Sequence, residues 1–186
     1  MTITTSLPSD RISLEHPADS ISAEKFKSAF SMHPSGVAVI TADAGDRPAA
    51  MTISSLSSVS AEPPLVMFSL STLSGPTPTF LAADSVVIHL LGSDQIELAK
   101  LGATPGVDRF AGSSQWTRLP TGEPVFPDTH AWLRGRIVHR LCAGTSVICV
   151  AHIVDAMVSD DASTGSSNPL VYHSRTWHEL GPNSSL

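Results

Sequence analysis

The stretch whose reading decides the fold is Ala50–Leu70, AMTISSLSSVSAEPPLVMFSL. Ala50 to Ile53 alternates small and apolar residues, as a strand with one buried face does. Ser54 to Ser60 then holds five serines in seven positions, Glu62-Pro63-Pro64 stops the chain, and Leu65 to Leu70 resumes as a continuous apolar strand. Serine hydroxyls both donate and accept, and they lose little rotamer entropy when fixed. Carried between two core strands, they suit a polar or anionic ring-bearing ligand. Composition alone reads the same segment as a polar connection with a Pro-Pro turn.

Outward from this stretch, strands dominate. Upstream, Met1 to Ser20 is polar, contains Pro8 and Pro17, and reads as a mobile arm preceding one domain over residues 21–182. Ser22 to Met32 reads as a helix, capped by Ser22, with Phe26, Ala29 and Phe30 as its apolar stripe. Pro34-Ser35-Gly36 ends it. Val37 to Thr41 is a buried strand that turns at Ala44-Gly45-Asp46 into its partner, Arg47 to Ser54.

Downstream, Ser71 to Pro78 is a hydroxyl-rich loop and Thr79 to Ala83 a short helix. A strand spans Ser85 to Leu91 and a helix Asp94 to Leu101. Gly102 to Asp128 is loop-rich. Two long strands, Ala131 to Leu141 and Ser146 to Val158, flank Ala143-Gly144-Thr145. A polar loop, Asp160 to Asn168, precedes two short strands, Leu170 to His173 and Thr176 to Leu180. Many strands with few, short helices imply a mostly β fold: an antiparallel barrel with helices outside it rather than a doubly wound sheet.

Composition removes several function classes. A chain of 186 residues with 41% apolar residues is sufficient for one domain with a sizeable core. No apolar run approaches the ~20 residues of a membrane span, and no signal-peptide pattern opens the chain. The net charge is −6 with no Lys/Arg cluster, against a nucleic-acid footprint. Cys142 and Cys149 would stand roughly 23 Å apart on one strand, too far to bridge, although a hairpin could bring them together. Two buried thiols in a cytoplasmic protein is the default expectation. No Gly-x-Gly-x-x-Gly or Gly-Lys-Ser/Thr loop is present. No histidine has metal-ligand spacing with cysteine or carboxylate, so no metal is expected.

The order of motifs resembles the flavin reductase family, small NAD(P)H:flavin oxidoreductases. The resemblance is carried by Gly36-Val37-Ala38-Val39, Met51-Thr52-Ile53-Ser54-Ser55, Ser58-Val59-Ser60, Glu62-Pro63-Pro64, Asp108-Arg109-Phe110-Ala111-Gly112 and Leu170-Val171-Tyr172-His173. It spans Phe26 to Leu180. It implies an antiparallel six-stranded split β-barrel of Greek-key type, a homodimer, and reduction of FMN or FAD by NADH or NADPH. It also implies delivery of reduced flavin to a flavin-dependent monooxygenase.

The resemblance also assigns candidate residues. Ser35, Gly36 and Val37, with Met51, Thr52, Ile53, Ser54, Ser55 and Leu56, would border the flavin ring. Ser71, Ser74 and Thr77 would contact phosphate just before a helix, where capping is the ordinary alternative. Arg109 would reach phosphate or stack on a ring, against the alternative of a salt bridge with Asp108. His173 would stand on the nicotinamide side. Where many members carry Gly-Asp-His, this chain has Gly144-Thr145-Ser146, leaving Ser146 as a substitute donor. That departure keeps open a flavin carrier without NAD(P)H turnover, or a flavoenzyme acting directly on a small organic substrate.

Overall fold

The computed structural model describes residues 8–12, 19–112, 114–159 and 167–185. Its centre is a seven-stranded antiparallel sheet. Strand β1 (Ser35–Gly36) precedes the hairpin of β2 (Ala38–Asp43) and β3 (Pro48–Ile53), and β4 (Ser57–Ala61) precedes β5 (Pro64–Ser71). Next come helix α2 (Thr77–Ala82), after α1 (Ala23–Ser31) at the start of the domain, and β6 (Ser85–Leu90). A 3₁₀ turn, Ser93–Gln95, leads into α3 (Ile96–Ala103). The remaining strands are β7 (Thr117–Arg118), β8 (Pro124–Val125), β9 (Ala131–Ala143), β10 (Ser146–Val158), β11 (Leu170–His173) and β12 (Thr176–Glu179).

The large sheet runs β3-β2-β6-β9-β10-β5-β4, while β1-β11-β12 and β7-β8 form smaller sheets. Its edge strands, β3 and β4, are consecutive and joined by only Ser54-Ser55-Leu56. The sheet must therefore curl until its two edges meet, which is the split barrel expected from the strand-rich pattern. It has seven strands where six were expected. The seventh is β4, a serine-rich edge strand that lacks apolar alternation because all but one of its residues are exposed.

The barrel interior is filled from both halves by Ile40, Phe68, Leu70, Phe80, Ile88, Val147 and their neighbours. A second apolar cluster, including Val39, Ala50, Leu91, Ala99, Phe126 and Leu170, seats α3 and the β11–β12 hairpin against the outside of β2 and β3. Cys142 and Cys149 are both free and buried, and burial pushes the Cys149 thiol up to about 11.

His89, left without interpretation in the sequence, is fully buried between the layers. Its Nδ1 lies 2.9 Å from the Val39 carbonyl and its Nε2 accepts the Phe126 N–H at 3.0 Å. This fixes the neutral tautomer with the proton on Nδ1. Nearby, Glu123 accepts hydrogen bonds from Arg134, Ser85 and Thr121. Burial alone would raise its carboxyl, but these donors outweigh that and hold it at about 2.

Helix α1 forms with its Ser22 cap, the Lys25 N–H donating to Ser22 Oγ at 3.2 Å, but its apolar stripe buries nothing. Phe26 and Phe30 are 51% and 60% exposed. The amino-terminal arm is not wholly detached: Ile12 N–H donates to the Cys142 carbonyl, and Cys142 N–H to the Asp10 carbonyl. Most of the polar loop Asp160–Asn168 lies outside the described residues. No helix among the described residues is long and apolar enough to cross a membrane.

Candidate functional site

A cavity of about 1160 Å³ opens along one side of β3. Strand β3 and the residue before it supply one wall, from Arg47 to Thr52. The loop after β5 supplies the second, through Ser71, Leu73, Ser74 and Thr79. The end of α3 and the turn beyond it supply the third, from Gly102 to Phe110. An adjoining recess of about 200 Å³ shares Thr52 and Ala103 with the cavity and is closed by Val37, Ile53, Ser54, Tyr172 and Trp177.

The geometry depends on close approach of α3 to β3. Thr52 Oγ1 donates to the Ala99 carbonyl at 2.6 Å, and Gly102 packs directly on Thr52. The Tyr172–Trp177 wall follows from a two-residue turn. Ser174 and Arg175 both adopt positive φ, 49° and 62°, so Tyr172 pairs across strands with Trp177 and the rings sit 4.8 Å apart.

The hydroxyl wall keeps donors free. Ser71 Oγ accepts the Leu73 N–H and retains its own proton to donate. Ser74 Oγ–H points at the Met51 thioether 3.7 Å away, a weak acceptor that a phosphate oxygen would readily replace. Arg109 holds the α3 turn: its Nε donates to Gly102 O at 3.2 Å and Nη2 to Thr104 O at 2.7 Å. Burial draws its guanidinium below the ordinary arginine range, so an anion beside it would relieve that cost. Asp108, the one carboxylate on the wall, accepts the Phe110 N–H.

Of the residues singled out in the sequence, Met51, Thr52, Ser71, Ser74 and Arg109 line the cavity, and Val37, Thr52, Ile53 and Ser54 line the recess. The others lie elsewhere. Ser55 brackets β5, with its hydroxyl donating to Ser69 O and accepting Ser69 N–H. Leu56 packs into the barrel core. Thr77 is buried, and its hydroxyl donates to Ser71 O, so Thr79 faces the cavity instead. Ser35 and Gly36 pair with Tyr172 and Val171 in the small sheet. Arg109 makes no salt bridge with Asp108.

Ser146 is paired with Ser71 across β10 and β5, beside the cavity but not on its wall. His173 is also off both walls, with its ring 5.7 Å from that of His178. The aromatic residues of the recess are Tyr172 and Trp177, which the sequence reading passed over in favour of His173. Two strands separated by the pair Ser174-Arg175 already implied that Tyr172 faces Trp177. No group of three metal-ligating side chains occurs among the described residues.

This geometry fits a flavin nucleotide. The cavity exceeds the usual range of about 300–1,000 Å³ for one small ligand, its hydroxyl wall suits a phosphate, and the recess suits a planar ring.

A family profile described as "Flavin reductase like domain" matches residues 30–181. An NADH:FMN oxidoreductase of Rhodococcus qingshengii is 36% identical over 162 residues, covering 87% of this chain and 84% of that protein. A Rhodococcus opacus protein named 4-nitrophenol 4-monooxygenase/4-nitrocatechol 2-monooxygenase, reductase component, is 34% identical over 149 residues, covering 80% of this chain and 76% of its own. The crystal structure of a flavin reductase domain protein from Arthrobacter sp. FB24 superposes with a TM-score of 0.79 at 32% identity, covering 86% of this chain and 96% of that one. With the profile spanning most of the chain and the fold shared, this protein belongs to the flavin reductase family.

Proposed function

We propose that the protein is an NADH-dependent flavin reductase that reduces FMN or FAD and releases the product to a separate monooxygenase. The observation that carries this reading is the continuity of the hydroxyl-lined cavity with the apolar and aromatic recess along one strand, β3. Family membership and the names of the relatives support it.

When bound, the flavin supplies a hydride acceptor and the nicotinamide a donor. The chain's part is positioning. Val37, Ile53 and Ser54 shape the recess, and Tyr172 and Trp177 close its outer side against water. Ser71, Ser74 and Thr79 hold phosphate, with Arg109 nearby as a cation. Among the residues lining the cavity and the recess there is no histidine, and the one acid, Asp108, is engaged by a backbone N–H. Rate enhancement would therefore come from holding two rings face to face rather than from side-chain proton transfer. Ser146 and His173, off the cavity walls, are retained as donors to the part of the nicotinamide nucleotide that projects from it.

A homodimer is part of this reading. The uncovered stripe of α1, with Phe26 and Phe30, and the exposed Met67, Val138, Val154 and Val158 of the barrel strands supply apolar surface for a second copy. Free buried thiols accord with a cytoplasmic site of action.

The test is anaerobic. The protein is mixed with FMN or FAD, NADH is added, and bleaching of the visible flavin band is followed. Rapid, protein-dependent bleaching is expected. Flavin that binds but stays oxidised would select the carrier reading.

A further inference from the structure

Strand β3 carries a thioether into the flavin cavity. Met51 adjoins Thr52, the residue that the cavity and the recess share on that strand. Its side chain is half-buried: it packs partly against the barrel core and also lines the cavity. Among the described methionines it alone stands on the cavity wall. Met32 and Met67 lie on the outer surface, 70% and 41% exposed. No cysteine is among the described residues lining the cavity and the recess, so the Met51 sulfur is the oxidisable side-chain sulfur there.

A donor already faces that sulfur. Ser74 Oγ–H points at it from 3.7 Å, and a thioether is a weak acceptor. A sulfoxide on the same atom is polar and accepts strongly through its oxygen. Oxygen added on the Ser74 side therefore turns a weak hydrogen bond into a strong one. The same hydroxyl lies on the wall that suits the flavin phosphate, so sulfoxide and phosphate compete for one proton.

We infer that Met51 is a site of reversible oxidation to methionine sulfoxide by peroxide formed in the cavity, and that this oxidation weakens flavin binding. This rests on the flavin reductase reading. When no monooxygenase takes the reduced flavin, two electrons and two protons pass from it to dioxygen. Oxidised flavin and hydrogen peroxide result. A lone pair on the Met51 sulfur then attacks one peroxide oxygen. The S–O bond forms, the O–O bond breaks, and the second oxygen leaves as water with both protons. The sulfur loses two electrons and the peroxide gains them. A reductase idling without its acceptor thus closes its own flavin site, and methionine sulfoxide reductase reopens it.

The test supplies FMN, NADH and air without a monooxygenase, with catalase added to destroy peroxide that escapes into solution. Peptide mass analysis reads one added oxygen atom on each methionine, and flavin absorbance titration reads the Kd for FMN. During turnover Met51 should be oxidised before Met32 and Met67. Reagent hydrogen peroxide without flavin should reverse that order, because it meets the exposed methionines first. Protein oxidised at Met51 should bind FMN about tenfold more weakly, and methionine sulfoxide reductase should restore the original value. Met51→Leu, whatever its starting affinity, should keep that affinity through the same turnover.

Met51 that stays unoxidised while NADH is consumed would overturn the inference. So would oxidation that only keeps pace with Met32 and Met67, or a sulfoxide that leaves the Kd for FMN unchanged. A Met51→Leu protein that loses affinity as fast as the wild type would overturn it too. Chemically reduced FMN, added repeatedly in air, delivers the same electrons without NADH. It tests Met51 even where NADH fails to bleach flavin, so the oxidation site and the reductase reading can fail separately.

Discussion

Gly102 lies against Thr52 with no room between them: a Cβ on Gly102 would fall 2.3 Å from the Thr52 hydroxyl and 3.0 Å from its backbone nitrogen. One of those contacts is backbone, which cannot swing aside. Gly102→Ala should therefore force α3 away from β3 despite alanine's better helix propensity, at a net cost of about 1–3 kcal/mol. Because Gly102 and Thr52 both line the cavity, flavin affinity should fall in parallel. Urea unfolding with a flavin titration measures both. A variant as stable as the wild type would show that the helix can shift freely.

His89 makes the fold sensitive to acid. Burial pulls its pKa from 6.5 to about 4, and its contact with Val39 only partly opposes this. The folded value is thus depressed. Above pH 6.5 neither state carries the proton and the full stability is present. Between pH 6.5 and 4 the unfolded chain takes up a proton that the native state refuses, and stability falls. A gap of that size is worth about 3 kcal/mol. Chemical denaturation from pH 7.5 to 4.5 should show this slope in the wild type and a flatter one in His89→Gln. Identical slopes would remove His89 as the cause.

Glu123 and Arg134 form a largely buried pair at 2.7 Å, with side chains 5% and 13% exposed. Removing one member strands the other. Glu123→Ala should cost about 3–5 kcal/mol, and so should Arg134→Ala. The double variant should cost less than the sum of the two, as measured by a double-mutant cycle. Strict additivity would mean that the pair is not coupled.

The recess gives a direct reading of ligand position. Trp177→Ala removes half of its aromatic wall and should weaken flavin binding about tenfold. Ser54→Trp should block the recess and abolish binding while leaving the unfolding midpoint within a few degrees, because Ser54 is exposed. Flavin affinity unchanged in Ser54→Trp would falsify the placement of the ring there.

Much of this arrangement was legible in the chain, and the exceptions have physical causes. The β2–β3 hairpin, β5, β6 and the two long strands announced themselves by apolar runs, because one or both faces are buried. β4 did not, since an edge strand with solvent on most of its surface needs no apolar alternation. Helix α2 begins at Thr77 rather than Thr79 because Pro78 fits the first turn, where its missing N–H is not needed.

Within the site, residue type was readable but direction was not. Thr77 and Ser55 have the hydroxyls a phosphate wants, yet both are committed to strand carbonyls by contacts between segments distant in sequence or across a turn. Arg47 went unnoticed as a site residue because only the folded β2–β3 hairpin places it on the same cavity as Arg109. His89 was opaque for the same reason: its partners, Val39 and Phe126, are 50 and 37 residues away.

The short segment from Asp10 to Ile12 has a consequence for behaviour in solution. Strand β6 pairs with β9 only as far as Arg136, while β9 runs on to Ala143. Along that flank, from Val138 to Leu141, no ladder covers β9 among the described residues, and Arg11 bridges Cys142 at the end. An uncovered strand margin invites other chains to add to it and seed aggregates. The amino-terminal residues thus cap the end of this open flank of β9. A protein trimmed to begin at Ser20 should keep its cavity intact and yet come out of solution at concentrations the full chain tolerates.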